Sequence, residues 1–171
     1  MGTSTAGTVL LGVALGAGGV SLQAAAQKRH KQTGFYLVLA ESSAAQTLPL
    51  PTSEQQILGY DYRFLRTEER EAVKYLRLAR RPDVALLLRR PPQRQIGEGG
   101  RTELLLEVTE DAAAALARLT ERHLGQQVAF VIDGEVVSTH KIRSVISDGK
   151  FRMSRCTDNA CEYIYGRLTN R

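Results

Sequence analysis

A chain of 171 residues, 43% of them hydrophobic, has room for one domain with a real core and is too apolar to be disordered throughout. Its 23 Lys and Arg against 18 Asp and Glu leave a formal charge of +5. That balance permits acidic partners, nucleic acid or an anionic membrane surface without selecting among them, and it equally fits a soluble domain with a mildly basic face.

The first 26 residues carry no ionisable side chain. Within them the run from Val9 to Val20 has the length of a signal-peptide apolar region, and Ala24 to Ala26 place small residues where a signal peptidase needs them. No basic residue precedes the run, whereas "KRHK" follows it, which favours keeping the downstream side in the cytoplasm. The run is also Gly-rich and broken by Ser21 and Gln23, so a cleaved signal is expected ahead of an uncleaved anchor. Residues 27–100 then form a strand-helix-strand portion with Pro- and Gly-rich loops, and residues 101–171 a second α+β portion.

"GFYLVLAES" reads as a strand, and the stretch after it, broken by Pro49, Pro51 and Gly59, as a long connection with a short strand near 60–65. "TEEREAVKYLRLARRPD" predicts a helix: Thr67 can cap it, Glu68 and Glu69 suit its start, and Ala72, Val73, Leu76 and Ala79 recur at helical spacing before Pro82. "VALLL", Val84 to Leu88, predicts an interior strand, and "RRPPQRQIGEGG" a basic loop ending in a Gly turn. "TELLLEVT" predicts a strand and "EDAAAALARLTERHLG" a helix, with Leu116 and Leu119 on its apolar stripe and Gly125 as its stop. Asp133-Gly134, set between two apolar runs, predicts a two-residue hairpin turn. A turn at "SDGK" leads to a short strand "FRMS", and a last helix carries Ala160, Ile164 and Leu168 on one side. Helices on one face of a largely antiparallel sheet bury these stripes most simply, so the expected fold is a two-layer α+β domain.

Chemistry-bearing patterns are sparse. There is no G-x-S-x-G, no H-E-x-x-H and no Gly-rich loop followed by Lys and Ser or Thr. His30, His123 and His140 are scattered singly, which does not fit a structural zinc set, and no metal or cofactor is expected. His123 sits where a helix ends and reads as a partner of the terminal carbonyls. His140 has only Ser138 and Thr139 beside it, too little for a general base. Asp133 and Glu135 flank a turn that needs Asp for its conformation, so they read as geometry and not as a catalytic carboxylate pair. Cys156 and Cys161, the two cysteines, read either as a disulfide or as two separate, partly buried thiols.

The segment from Glu103 to Ser154 resembles the head of the first large extracytoplasmic domain of SecD and SecDF, membrane components that assist protein export. The matching residues are Gly125, Val128, Ile132, Asp133, Gly134, Val136, Val137, Ser138, Ile142, Arg143, Ile146 and Gly149. Before residue 100 the resemblance is weak. Where the family has a small residue and Pro after V-V-S, this chain has Thr139, His140 and Lys141, so the strand should run on where the family's bends. The resemblance implies a non-enzymatic, extracytoplasmic domain that binds polypeptide or an envelope protein, Sec translocon components included, and that compartment favours the Cys156–Cys161 disulfide. Binding through a sheet edge or the loops at the hairpin end would require no special side chains. The alternative is a basic-surface binder of acidic ligand, nucleic acid or anionic lipid, using Arg89, Arg90 and Arg94 of "RRPPQR" with His140, Lys141 and Arg143 of "HKIR". Nucleic acid is the least favoured of these, because no aromatic residue is interleaved for base stacking.

Overall fold

The structure, a computed structural model, describes residues 33–60, 74–97, 100, 102–153 and 158–170. The expected export signal, the first part of the helix expected from Thr67, and Cys156 lie outside the described residues. In chain order the elements are β1 (Gly34–Leu37), β2 (Ala40–Ser42), a 3-10 turn (Ala45–Thr47), β3 (Gln55–Tyr60), β4 (Lys74–Ala79), β5 (Val84–Ala85), β6 (Gln93–Ile96) and β7 (Thr102–Glu107). Then follow α1 (Glu110–Arg122), β8 (Gln127–Ile132), β9 (Glu135–Lys141), β10 (Lys150–Met153) and α2 (Asp158–Thr169).

The β8–β9 hairpin is the centre from which the rest is built. Asp133 and Gly134 both take positive φ, 51° and 86°, the combination that a two-residue turn needs to match the twist of its flanking strands. Ile132 faces Glu135 and Val131 faces Val136, but Phe130 faces Ser138, so Val137 is an extra residue in a β-bulge. The bulge explains why Val136, Val137 and Ser138 are buried in succession. β8 is buried from Val128 to Ile132 because it is covered on both faces, which accounts for its unbroken apolar sequence. β9 continues to Lys141, as expected from Thr139, His140 and Lys141.

Around this hairpin runs a seven-stranded sheet in the order β2-β4-β3-β9-β8-β1-β5, with a second sheet in the order β10-β7-β6. Tyr60 of β3 meets Val136 of β9 in parallel, and the other strand pairs are antiparallel. The α+β class and the antiparallel pairing are those expected, with the apolar strands divided between two sheets. Strands from before residue 100 flank the hairpin on both sides: β1 lies beside β8, and β3 beside β9. Phe35 of β1 stacks on Phe130 of β8 at 5.1 Å and meets Phe151 of β10 edge-on at 5.1 Å. Those three rings bind the two sheets together. Among the described residues, no helix is long and apolar enough to cross a membrane.

Three sequence expectations fail, each for a physical reason. Lys74 to Ala79 form a strand and not the second half of a helix. Leu76 and Leu78 are fully buried, with Arg77 and Tyr75 alternating between them, and β3 and β2 pair with both edges. Helix propensity differs by at most about 0.7 kcal/mol per ordinary residue, whereas burying a leucine yields roughly 1.5–3 kcal/mol, so sheet context prevails. Val84 to Leu88 were expected as an interior strand, but β5 is two residues at the sheet edge. Val84 and Leu86 are buried there while Ala85 and Leu87 are exposed, as fits an edge with one face covered. Within the expected loop "RRPPQRQIGEGG", Gln93 to Ile96 become β6 by pairing with β7, Gln93 opposite Leu105 and Ile96 opposite Thr102. Of the short strand expected near 60–65, Tyr60 is the last residue of β3, and residues 61–65 lie outside the described residues.

Tyr36, with no exposed surface on β1, has its phenol pKa pushed well above the usual range, chiefly by burial and secondarily by the Asp83 carboxylate. The unfolded chain releases this proton near the ordinary value of about 10. The folded state holds it more tightly, so the contribution to stability is complete below that pH and is lost as pH rises above it. Tyr36→Phe is therefore expected to flatten the alkaline decline in stability relative to the parent, as read from urea midpoints across that range.

Candidate functional site

Four elements enclose an apolar groove of about 240 Å³. α1 supplies Leu116, Leu119 and Thr120; β1 and β8 supply Phe35, Val128 and Phe130; β10 supplies Phe151 and Met153. The strand-to-loop passage from His140 to Ile146 forms the lip. Thr120 fixes that lip: its hydroxyl donates to the Leu116 carbonyl at 2.8 Å and accepts the Ile146 N–H at 3.0 Å. Gly125, at φ 81°, donates its N–H to the Ile142 carbonyl at 2.9 Å, and the Ile142 N–H bonds Gln126 at 2.9 Å. The end of α1 and the end of β9 are thus laced together. A cavity of about 150 Å³ accommodates benzene, so this groove has room for one or two apolar side chains.

His140, Lys141, Arg143 and Arg152 lie on the groove lining, which contains no acidic residue. The His140 Nε2 lies 3.1 Å from the Ser138 hydroxyl, its neighbour two residues back on the same strand face. His140, Lys141 and Arg143 are exposed at the mouth. The structure therefore brings these three expected residues together and adds a fourth basic residue, Arg152 of β10, which lies 3.7 Å from the Glu103 carboxylate.

The other three arginines occupy a different place and each has an acidic partner. Arg90 pairs with Glu107 at 2.6 Å and Arg89 with the same carboxylate at 3.8 Å. Arg94 grips Glu162 of α2 at 2.9 and 3.1 Å and lies over the Tyr165 ring at 4.2 Å, so it ties β6 to the last helix. The six expected residues do not form one patch.

Asp133 and Glu135 serve a structural purpose beyond the turn. The Arg167 guanidinium of α2 donates to Asp133, the Tyr163 hydroxyl donates to Glu135, and the Asp133 N–H donates to the Thr33 hydroxyl at 3.0 Å. The bond to Asp133 raises the Arg167 pKa further above its ordinary value. These carboxylates clasp α2 to the hairpin. His123 is the C-cap of α1, but its backbone N–H, not its ring, meets the helix end, bonding the Leu119 carbonyl at 3.1 Å. Cys161 is fully buried on α2, its sulfur 3.3 Å from the Thr102 carbonyl oxygen.

Sequence reasoning named Leu116 and Leu119 as an apolar stripe but did not see Phe35, Thr120, Phe151 or Arg152 as parts of one site. The available signal was the alternation in "KFRM": Phe151 and Met153 turn inward, Lys150 and Arg152 outward.

Fold and groove together define an α+β domain in which a helix, a bulged hairpin and short strands enclose an apolar groove with a basic mouth. Residues 92–160, from just before β6 into α2, match the family model of the SecDF P1 head subdomain, and this segment is SecDF-head-like. Among solved structures, the chain is similar to a SecDF described as a membrane component that enhances protein export, at 19% identity over 91% of this chain and 71% of that one, TM-score 0.48. It is similar to SecDF in a super-membrane-facing form, at 19% identity, 85% and 20% coverage and TM-score 0.48. SecDF of Thermus thermophilus, described as a translocon-associated membrane protein, matches at 18% identity, 85% and 21% coverage and TM-score 0.49. The chain spans about a fifth of the length of these last two. No curated protein matches the chain significantly.

Proposed function

We propose that this chain is a non-enzymatic, extracytoplasmic domain that binds polypeptide during protein export, and that the groove between α1, β8 and β10 is where it does so. The observation that carries the reading is the apolar groove built by the head-like segment itself, with Leu116, Val128, Phe130 and Met153 drawn from residues 92–160. Its volume suits individual apolar side chains of an unfolded chain, the feature that a folded client hides. β6 and β10 are the outer strands of the smaller sheet, and strand addition to a sheet edge needs no special side chains. Translocon components are the natural neighbours of such a domain. The surface around Arg89, Arg90 and Arg94 fits a nucleic-acid or lipid site less well, because Glu107 and Glu162 already engage those guanidiniums.

The reading is tested by placing a photo-crosslinking residue at Ser144, on the groove lip. Exporting polypeptide is expected in the crosslinked product. Labelling at Ser144 that captures no polypeptide, while the same probe at a distant exposed position such as Leu50 behaves identically, would sink it. The compartment carries a second expectation, that Cys156 and Cys161 form a disulfide. Intact mass after alkylation, with and without reductant, checks it together with loss of the N-terminal segment.

A further inference from the structure

We infer that the outer edge of β6 takes an extended segment of the polypeptide as an added antiparallel strand, held by main-chain hydrogen bonds to Arg94 and Ile96. This rests on the polypeptide-binding reading and adds a second point of contact to it, apart from the groove.

The direction in which β6 turns its main chain follows from β7. The Val108 N–H bonds the Gly149 carbonyl at 3.0 Å on the β10 side, and the Glu107 carbonyl accepts the Arg89 N–H at 2.8 Å on the other. Main-chain groups alternate sides along a strand, so Leu105 and Glu103, in step with Glu107, bond β6. Their partners there are Gln93 and Gln95. Arg94 and Ile96 therefore turn their N–H and C=O groups outward, and among the described residues no bond engages those groups. All four residues of β6 are exposed. The remaining outer strands are closed or short: the Lys150 N–H of β10 already bonds the Asp148 carboxylate at 3.0 Å, β2 has three residues and β5 has two. Sheets protect their edges in such ways, whereas β6 contains neither a bulge nor a proline.

The outward groups fit one kind of partner. Donor and acceptor pairs recurring every second residue, about 6.8 Å apart, match the spacing of another extended backbone. Four residues give roughly 14 Å of edge, and a contact of that length falls well below the ~1,200–2,000 Å² that a stable pair of folded proteins buries. It suits a polypeptide that binds and leaves, and not a second copy of the chain. Side chains then set the register. Ile96 is 72% exposed, and in an antiparallel pair the residue opposite it both exchanges its hydrogen bonds and shares its face, so an apolar residue there covers it. The next residue along meets the face of Gln93, Gln95 and Glu103, where the Gln95 amide donates to Glu103 at 2.9 Å, and is polar. Arg94 is taken up by Glu162, so charge has no part in the selection.

The test uses the full chain and a short fluorescent peptide alternating valine and threonine. Amide hydrogen exchange is expected to be faster at Arg94 and Ile96 than at Gln93 and Gln95, and the peptide is expected to slow the first pair. Methyl groups on the valine nitrogens are expected to abolish binding, because valine sits opposite Ile96, whereas methyl groups on the threonine nitrogens point away and spare it. Ile96→Pro removes an outward N–H and leaves the ladder to β7 intact, so it is expected to weaken binding about tenfold with little change in urea midpoint. Ile96→Thr keeps the N–H and is expected to lose less. Peptide binding that leaves exchange at Arg94 and Ile96 unchanged, or that survives valine methylation, overturns the inference. Slowed exchange that grows with protein concentration in the absence of peptide assigns the edge to a second copy and also overturns it. If the peptide does not bind while a probe at Ser144 still captures unfolded polypeptide, the edge contact falls and the groove reading stands. If neither occurs, both fall.

Discussion

Phe130→Ala is expected to destabilise the domain by about 3–5 kcal/mol, the range for truncating a buried aromatic residue. Phe130 is 1% exposed, stacks on Phe35 at 5.1 Å, and through Phe35 reaches Phe151 of the second sheet. Its removal deletes apolar burial from a strand covered on both faces and also an aromatic contact worth roughly 0.5–1.5 kcal/mol. A domain of this kind holds only about 5–15 kcal/mol in all, so the substitution takes a large share of it. Phe130 also lines the groove, and the vacated space enlarges it instead of closing. Phe130→Leu retains most of the volume and is expected to cost clearly less. Leu50→Ala supplies the contrast: at 91% exposure it is expected to change stability by less than about 0.5 kcal/mol. Urea midpoints of the three variants check the order, and similar losses for Phe130→Ala and Leu50→Ala would contradict the packing described.

The second half of the fold was legible because its signals are local. Asp133-Gly134 demands positive φ at two successive residues, and the structure has it there. Ala160, Ile164 and Leu168 are buried on α2 as their spacing required. Thr139, His140 and Lys141 extend β9 in place of a bend. What escaped is non-local. "KYLRLA" contains both a helical and an alternating pattern, and only the presence of β2 and β3 on its two sides makes the second one prevail. "QRQI" has no apolar alternation of its own and is a strand because Leu105 and its neighbours on β7 offer partners. The site suffers from the same limit. Its cationic mouth was visible in "HKIR", but the apolar interior joins Phe35, Leu116, Phe130 and Phe151 from four elements, and no local pattern reports such convergence. The pairing of Arg94 with Glu162, 68 residues apart, was likewise beyond any local reading.

Gly149→Ala is expected to cost about 2–5 kcal/mol and to open the groove, for two separable reasons. Gly149 has a φ of 65°, where an L side chain costs roughly 1–2 kcal/mol. A Cβ there would also lie 2.6 Å from the Ala113 Cβ and 3.2 Å from a Val108 methyl. Ala113 belongs to α1 and has no rotamer by which to withdraw, so relief requires the helix or the start of β10 to move, at a cost of roughly 1–3 kcal/mol. Those two elements are opposite walls of the groove, so under the proposed function separating them is expected to lower polypeptide affinity as well as stability. Ala113→Gly in the same chain removes the steric part and leaves the backbone part, while itself costing about 1 kcal/mol in the helix. The double variant is therefore expected to be more stable than the sum of the two single losses by about 1–3 kcal/mol, with peptide affinity recovering. Gly149→Asn makes the complementary division, since Asn tolerates positive φ but still carries a Cβ; it should recover little of the affinity. Strict additivity in the double variant would mean that the contact between Gly149 and α1 does not set the width of the groove.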